Sequence, residues 1–97
     1  MVEHVVCLML NKSRLTQEMR DDISDLADKV RSELDLVLEN KVTFLDLNNS
    51  TLEAAVSFWR FRTAEDLLCF QKSSVHLAHL ALLKEALEDK VIFDRSL

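Results

Sequence analysis

Three histidines carry most of the reactive chemistry available to this 97-residue chain. His76 and His79 stand three apart in the apolar run SSVHLAHLALL, and His4 lies in the strand-like run VEHVVCLML. Imidazole titrates near neutrality, so each could accept a proton, pass one on, or bind a polar ligand head. Residues three apart share one side of a helix, which makes HLAH a metal-like spacing as well. Zinc, however, takes three or four ligands with ordered outer partners. HLAH supplies two, with His4 as a third at most, so no metal and no cofactor is expected. His76 reads as a candidate general base or ligand contact on a pocket wall, or else as a structural histidine bonding across a helix–strand junction. Both readings stand at this point. Cys69 and His76 could form a nucleophile–base pair, but no third orienting group or oxyanion donor accompanies them. Core packing is the expectation for Cys69.

Composition narrows the field. The chain contains no Gly and no Pro, against typical usage of roughly 7% and 5%. Gly-rich phosphate loops are thereby excluded, and turns must come from Asn, Asp and Ser. A formal net charge of −5 disfavours nucleic acid or an anionic membrane as partner. No apolar run approaches the roughly 18 residues of a transmembrane helix. MVEHVVCLML has neither a basic n-region nor a small-residue cleavage site. Cys7 and Cys69 sit in apolar patterns and read as buried free thiols. A cytoplasmic protein is expected. The length corresponds to a single domain over residues 1–97, small enough to gain disproportionately from oligomerisation.

The elements that must position the histidines follow from periodicity. Residues 2–10 form a strand with His4, Val6, Leu8 and Leu10 on one face. Thr16 is an N-cap for a long helix whose stripe is Met19, Ile23, Leu26, Val30, Leu34 and Val37. ENK (39–41) is its exit and VTFLDL a second strand. NNST (48–51) is the clearest turn, and AAVSFWRFR a third strand with Ala55, Ser57, Trp59 and Phe61 on one face. Arg60 and Arg62 at its end could pair with Asp46 or Glu39. TAED matches a capping box with Thr63 and Asp66 and opens a short helix to about Phe70. Ser73 or Ser74 caps a further helix to about Glu88, and KVIFD (90–94) is the last strand. The order βαββαβ, with its second helix broken in two, predicts a ferredoxin-like α+β sandwich.

Two expectations follow. Helices cover one sheet face, so Ser57, Trp59 and Phe61 face an interior on that side, where a cavity would have the usual make-up of a small-ligand site, mostly apolar with a few polar groups. His79 extends its wall. The opposite face carries Val5, Cys7, Met9, Val56, Phe58, Val91 and Phe93. So large an apolar patch calls for a second copy, giving a homodimer through the sheet faces.

VEHVV at the start, FRTAEDLLCFQKSSVH in the middle and VIFD at the end resemble the stress-responsive A/B barrel (Dabb, or dimeric α+β barrel) family over nearly the whole chain. The family pattern has an early His in the first strand, an aromatic closing the third, a His-Pro-Ala-His element, and a last strand ending in Asp. KSSVH meets that element with Ser73 in place of the first His, no Pro, and His76 at the second His. The resemblance implies a dimeric α+β barrel with one pocket per protomer between sheet and helices. In members related to plant polyketide cyclases it implies the second His as general base, assisted by a Tyr on the preceding helix. Phe70 occupies that position here, and the chain has no Tyr. His4, Ser57, Trp59, Phe70, His76 and His79 are thus the expected ligand-binding set, for a small apolar ligand of aromatic or polyketide-like type. The alternative is a non-catalytic, stress-associated oligomeric or structural module.

Overall fold

The computed structural model describes residues 1–97. In chain order it contains β1 (Val2–Asn11), α1 (Gln17–Glu33), β2 (Val37–Asp46) and β3 (Leu52–Phe61). These are followed by α2 (Ala64–Lys72), α3 (Ser74–Leu83) and β4 (Leu87–Ser96). The strands form one antiparallel sheet in the order β2-β3-β1-β4. This is the ferredoxin-like α+β arrangement, with the second helix broken at Ser73.

Caps set the helix starts. Thr16 accepts a hydrogen bond from the Met19 amide, Thr63 from Asp66 and Ser73 from His76, each satisfying a donor that has no partner within its helix. Thr63 caps through its own side chain only; no return bond from Asp66 completes the expected box. Ser73 does two things. Its backbone is extended (φ −65°, ψ 150°), which interrupts the helix, and its hydroxyl donates to the Phe70 carbonyl at 2.7 Å. A helix break that elsewhere falls to Gly or Pro is thus made by one serine. Asn49 takes the remaining special turn position with φ 61°, a conformation Asn tolerates better than most residues.

Several boundaries differ from the periodicity reading. α1 ends at Glu33, Leu34 is its C-cap, and Val37 already belongs to β2. β2 is paired with β3 from Val37 to Asp46, and that ladder outweighs another helical turn. Leu34 and Val37 nonetheless pack on the same core as Val30, which is why they extend the stripe. Likewise α3 stops at Leu83, and residues from Leu87 pair along β1. A register shift there between Met9 and Leu10 accommodates the extra residue of β4. Cys69, expected in the core, is exposed, because the nine-residue α2 buries only Leu67 and Phe70.

Register decides the two faces. His4 lies opposite Trp59 and Asp94, and Val6 opposite Ser57 and Ile92, on the helix side. On the other side Val5 lies between Phe58 and Phe93, and Cys7 between Val56 and Val91. This outer face ends in a row of alternating charge, Glu39–Arg60–Glu3–Arg95, ion-paired along its length. The core has two halves. One gathers Trp59, Phe61 and Phe70 with Leu26 and Val30; the other gathers Leu8, Leu10 and Leu83 with Met19 and Ile23.

Candidate functional site: a histidine-walled cavity

Between the two halves of the core lies a cavity of about 160 Å³, walled by β1, β3 and β4 on the sheet side and by all three helices on the other. The six residues expected from the sequence, His4, Ser57, Trp59, Phe70, His76 and His79, all line it. Strand alternation brings His4, Ser57 and Trp59 to the floor. The Ser73 break turns α3 so that His76 and His79 form the roof. Val6, Leu8, Ile23, Leu26, Leu80 and Ile92 supply most of the remaining apolar wall.

The three imidazoles share one arrangement. His4 Nδ1 lies 2.5 Å from Asp94 Oδ1, His79 Nδ1 lies 2.5 Å from Asp22 Oδ2, and His76 Nδ1 lies 3.0 Å from the Gln71 carbonyl. For His76 the partner is a carbonyl, which only accepts, so Nδ1 carries the proton and Nε2 keeps its lone pair. No Nε2 among the three makes a hydrogen bond within the protein. Burial pushes the His76 pKa below the usual imidazole value, with the Gln71 carbonyl opposing it in part. Burial likewise lowers that of His79, against the pull of Asp22. Both rings are therefore neutral at pH 7, in the form that accepts a proton.

Aromatic contacts hold the roof in place. Phe70 lies 4.7 Å from Trp59, 5.4 Å from Phe61 and 4.7 Å from His76 between ring centroids. The His76 and His79 rings are 6.1 Å apart. No group of three His, Cys, Asp or Glu side chains converges with metal-binding geometry. Lys90, on edge strand β4, lines the cavity with an ammonium engaged in no ion pair or hydrogen bond.

Sequence reasoning missed the partners that hold these rings. Asp22 sits on α1 between apolar positions and is buried. Burial pushes its carboxyl up, but hydrogen bonds from Lys29 and His79 more than offset this and keep it below the ordinary range. A charged residue inside an apolar stripe was the available signal, since buried carboxylates occur where they are paired. Arg60 pairs with Glu39 as anticipated, and with Glu3 as well, while Arg62 reaches the Asp35 carbonyl.

Comparison with known proteins bears on the fold. No family model matches the chain, and none of the curated proteins matches it significantly. Solved structures do. A dimeric ferredoxin-like protein of unknown function from Bacteroides fragilis superposes with a TM-score of 0.76 at 16% identity, covering 99% of this chain and 95% of its own. The fold is ferredoxin-like α+β. A Mycobacterium tuberculosis protein gives 0.75 at 15% identity, covering 100% and 95%. A candidate antibiotic biosynthesis monooxygenase from Caulobacter crescentus gives 0.70 at 14%, covering 99% and 88%. At these identities the likeness establishes fold and not chemistry. No helix is long and apolar enough to cross a membrane.

Proposed function

We propose that this chain is a homodimeric α+β barrel protein of the stress-responsive A/B barrel type, which holds one small aromatic ligand in the histidine-walled cavity. The observation that carries the reading is His76. Its Nδ1 is committed to the Gln71 carbonyl, and Nε2 is left as an acceptor in an otherwise mostly apolar space. An apolar cavity of about 150 Å³ accommodates benzene, so about 160 Å³ fits one aromatic ring. A hydroxyl on that ring would donate to His76 Nε2, and proton transfer would leave an oxyanion facing an imidazolium. The Lys90 ammonium favours the anionic form of the bound hydroxyl. Dimerisation is supported by the apolar outer face and by two similar structures described as dimeric.

Phe70 bears on which chemistry follows. It packs against His76 with no hydroxyl to offer, so any proton transfer here proceeds without a phenolic partner. This favours binding, or proton abstraction by His76 alone. The test uses the only tryptophan, Trp59, which is buried in the cavity floor. Phenol titrated into the protein should change Trp59 emission saturably, and His76→Phe should weaken that response more than it weakens the response to toluene. Emission indifferent to both compounds would make the interior a filled core and the chain a structural module.

A further inference from the structure

His79 divides two spaces. It lines the interior cavity and also a groove on the outer surface between α1 and α3, which it shares with Asp22, Lys29 and Val75. Asp22 borders the groove but not the cavity. Asp22 thus holds His79 through Nδ1, at 2.5 Å, from the groove side, which leaves Nε2 as the ring nitrogen free to serve the cavity. Lys29 in turn bonds the other Asp22 oxygen at 2.6 Å. The carboxylate is thus doubly held, at the cost of burying a charge on the apolar stripe of α1. Packing alone does not require this. An apolar residue at 22 and another at 79 would fill the space without desolvating an ion pair.

We infer that His79 is a second hydrogen-bond acceptor of the cavity, positioned by Asp22 and Lys29, so that the preferred ligand is a single aromatic ring bearing two hydroxyl donors. This rests on the cavity being a ligand site and specifies what the ligand must carry. Asp22 acts as a positioning residue, holding the proton on Nδ1 as a carboxylate orients an imidazole in hydrolytic triads. His76 and His79, 6.1 Å apart between ring centroids, then present two acceptors side by side on the roof, across the cavity from His4 on the floor. A ligand with one hydroxyl leaves the second acceptor desolvated and unmatched, and that penalty discriminates against it.

The test compares resorcinol with 3-methoxyphenol, which differ by one O–H donor. Calorimetric titration of the wild-type protein should give resorcinol about five- to tenfold tighter binding, as expected for one extra hydrogen bond. His79→Phe should bring the two affinities together. With histidine labelled by ¹⁵N in the otherwise unchanged protein, the His79 Nε2 resonance should move with resorcinol and stay put with 3-methoxyphenol. That measurement does not depend on the variant folding. Asp22→Leu should mix the His79 tautomers in the same spectra, a signature that loss of packing alone would not produce. Equal affinities in the wild type, or a His79 resonance that ignores both compounds while His76 responds, would overturn the two-acceptor assignment and leave the cavity reading intact. Failure of both compounds to bind would overturn the cavity reading and the two-acceptor assignment together.

Discussion

Phe70 and His76 meet face to tilted face, 4.7 Å between ring centroids at 52°, across the single residue gap at Ser73 that separates α2 from α3. The pair joins the aromatic core to the cavity roof. Phe70 is 1% exposed and touches Trp59 and Phe61 as well. Phe70→Ala should therefore cost about 3–5 kcal/mol, a large share of the ~5–15 kcal/mol available to a domain. Urea unfolding monitored by Trp59 emission measures it. A loss below about 1 kcal/mol would mean that the surrounding rings collapse into the space.

Ser73 should matter for a different reason. Its hydroxyl caps α3 through the His76 amide and also bonds the Phe70 carbonyl. Ser73→Ala should cost about 1 kcal/mol, whereas Ser73→Thr, which keeps the hydroxyl, should cost less. Denaturant midpoints of the two variants decide. Equal losses would assign the effect to backbone shape instead of to the cap.

Stability should fall in two stages as pH drops. His76 and His79 are both held below the ordinary value of 6.5, chiefly by burial. The unfolded chain thus binds protons at these sites at higher pH than the native protein does. Their contribution is complete above 6.5 and is lost as pH falls through 6.5 toward the lower native values. Glu3 is held below 4.5, first by its hydrogen bond from Arg60 and then by that from Arg95. Asp22 is held below 3.8 because its Lys29 and His79 bonds outweigh burial. Their contributions persist to more acidic pH and fade below those values. Unfolding curves between about pH 3 and pH 8 should show the first decline weakened in His76→Phe.

Phe93 tests the assembly without testing the fold. It is 63% exposed on the outer face, opposite Val5. Phe93→Glu should leave the protomer folded while placing a charge within the proposed seam. Sedimentation velocity at micromolar concentration should show dimers for the wild type and monomers for the variant. A wild-type monomer would refute the sheet-to-sheet assembly.

Element order is written in periodicity and caps. Period two in VEHVVCLML and AAVSFWRFR, the apolar stripe of α1, and Thr16, Thr63 and Ser73 as caps are local properties that the chain satisfies on its own. The two sheet faces follow from the same alternation. Val5, Phe58 and Phe93 on one side and His4, Ser57 and Trp59 on the other are therefore separable from residue order alone.

Where elements end depends on distant partners. Leu34 and Val37 continue a helical stripe in sequence, but Val37 pairs with Phe61 across the sheet, a long-range ladder that no local window contains. The anchoring of the histidines is hidden for the same reason. Asp22 and His79 are 57 positions apart and His4 and Asp94 are 90 apart, so their meeting depends on how α1 packs on α3 and which strand lies beside β1. Residue type and alternation suffice to say which side chains can accept a proton and which face of each element they occupy. Which nitrogen of each ring is held, and which is left facing the cavity, is settled only when the elements pack. A tautomer is chosen by its partner, and the partners come from distant parts of the chain.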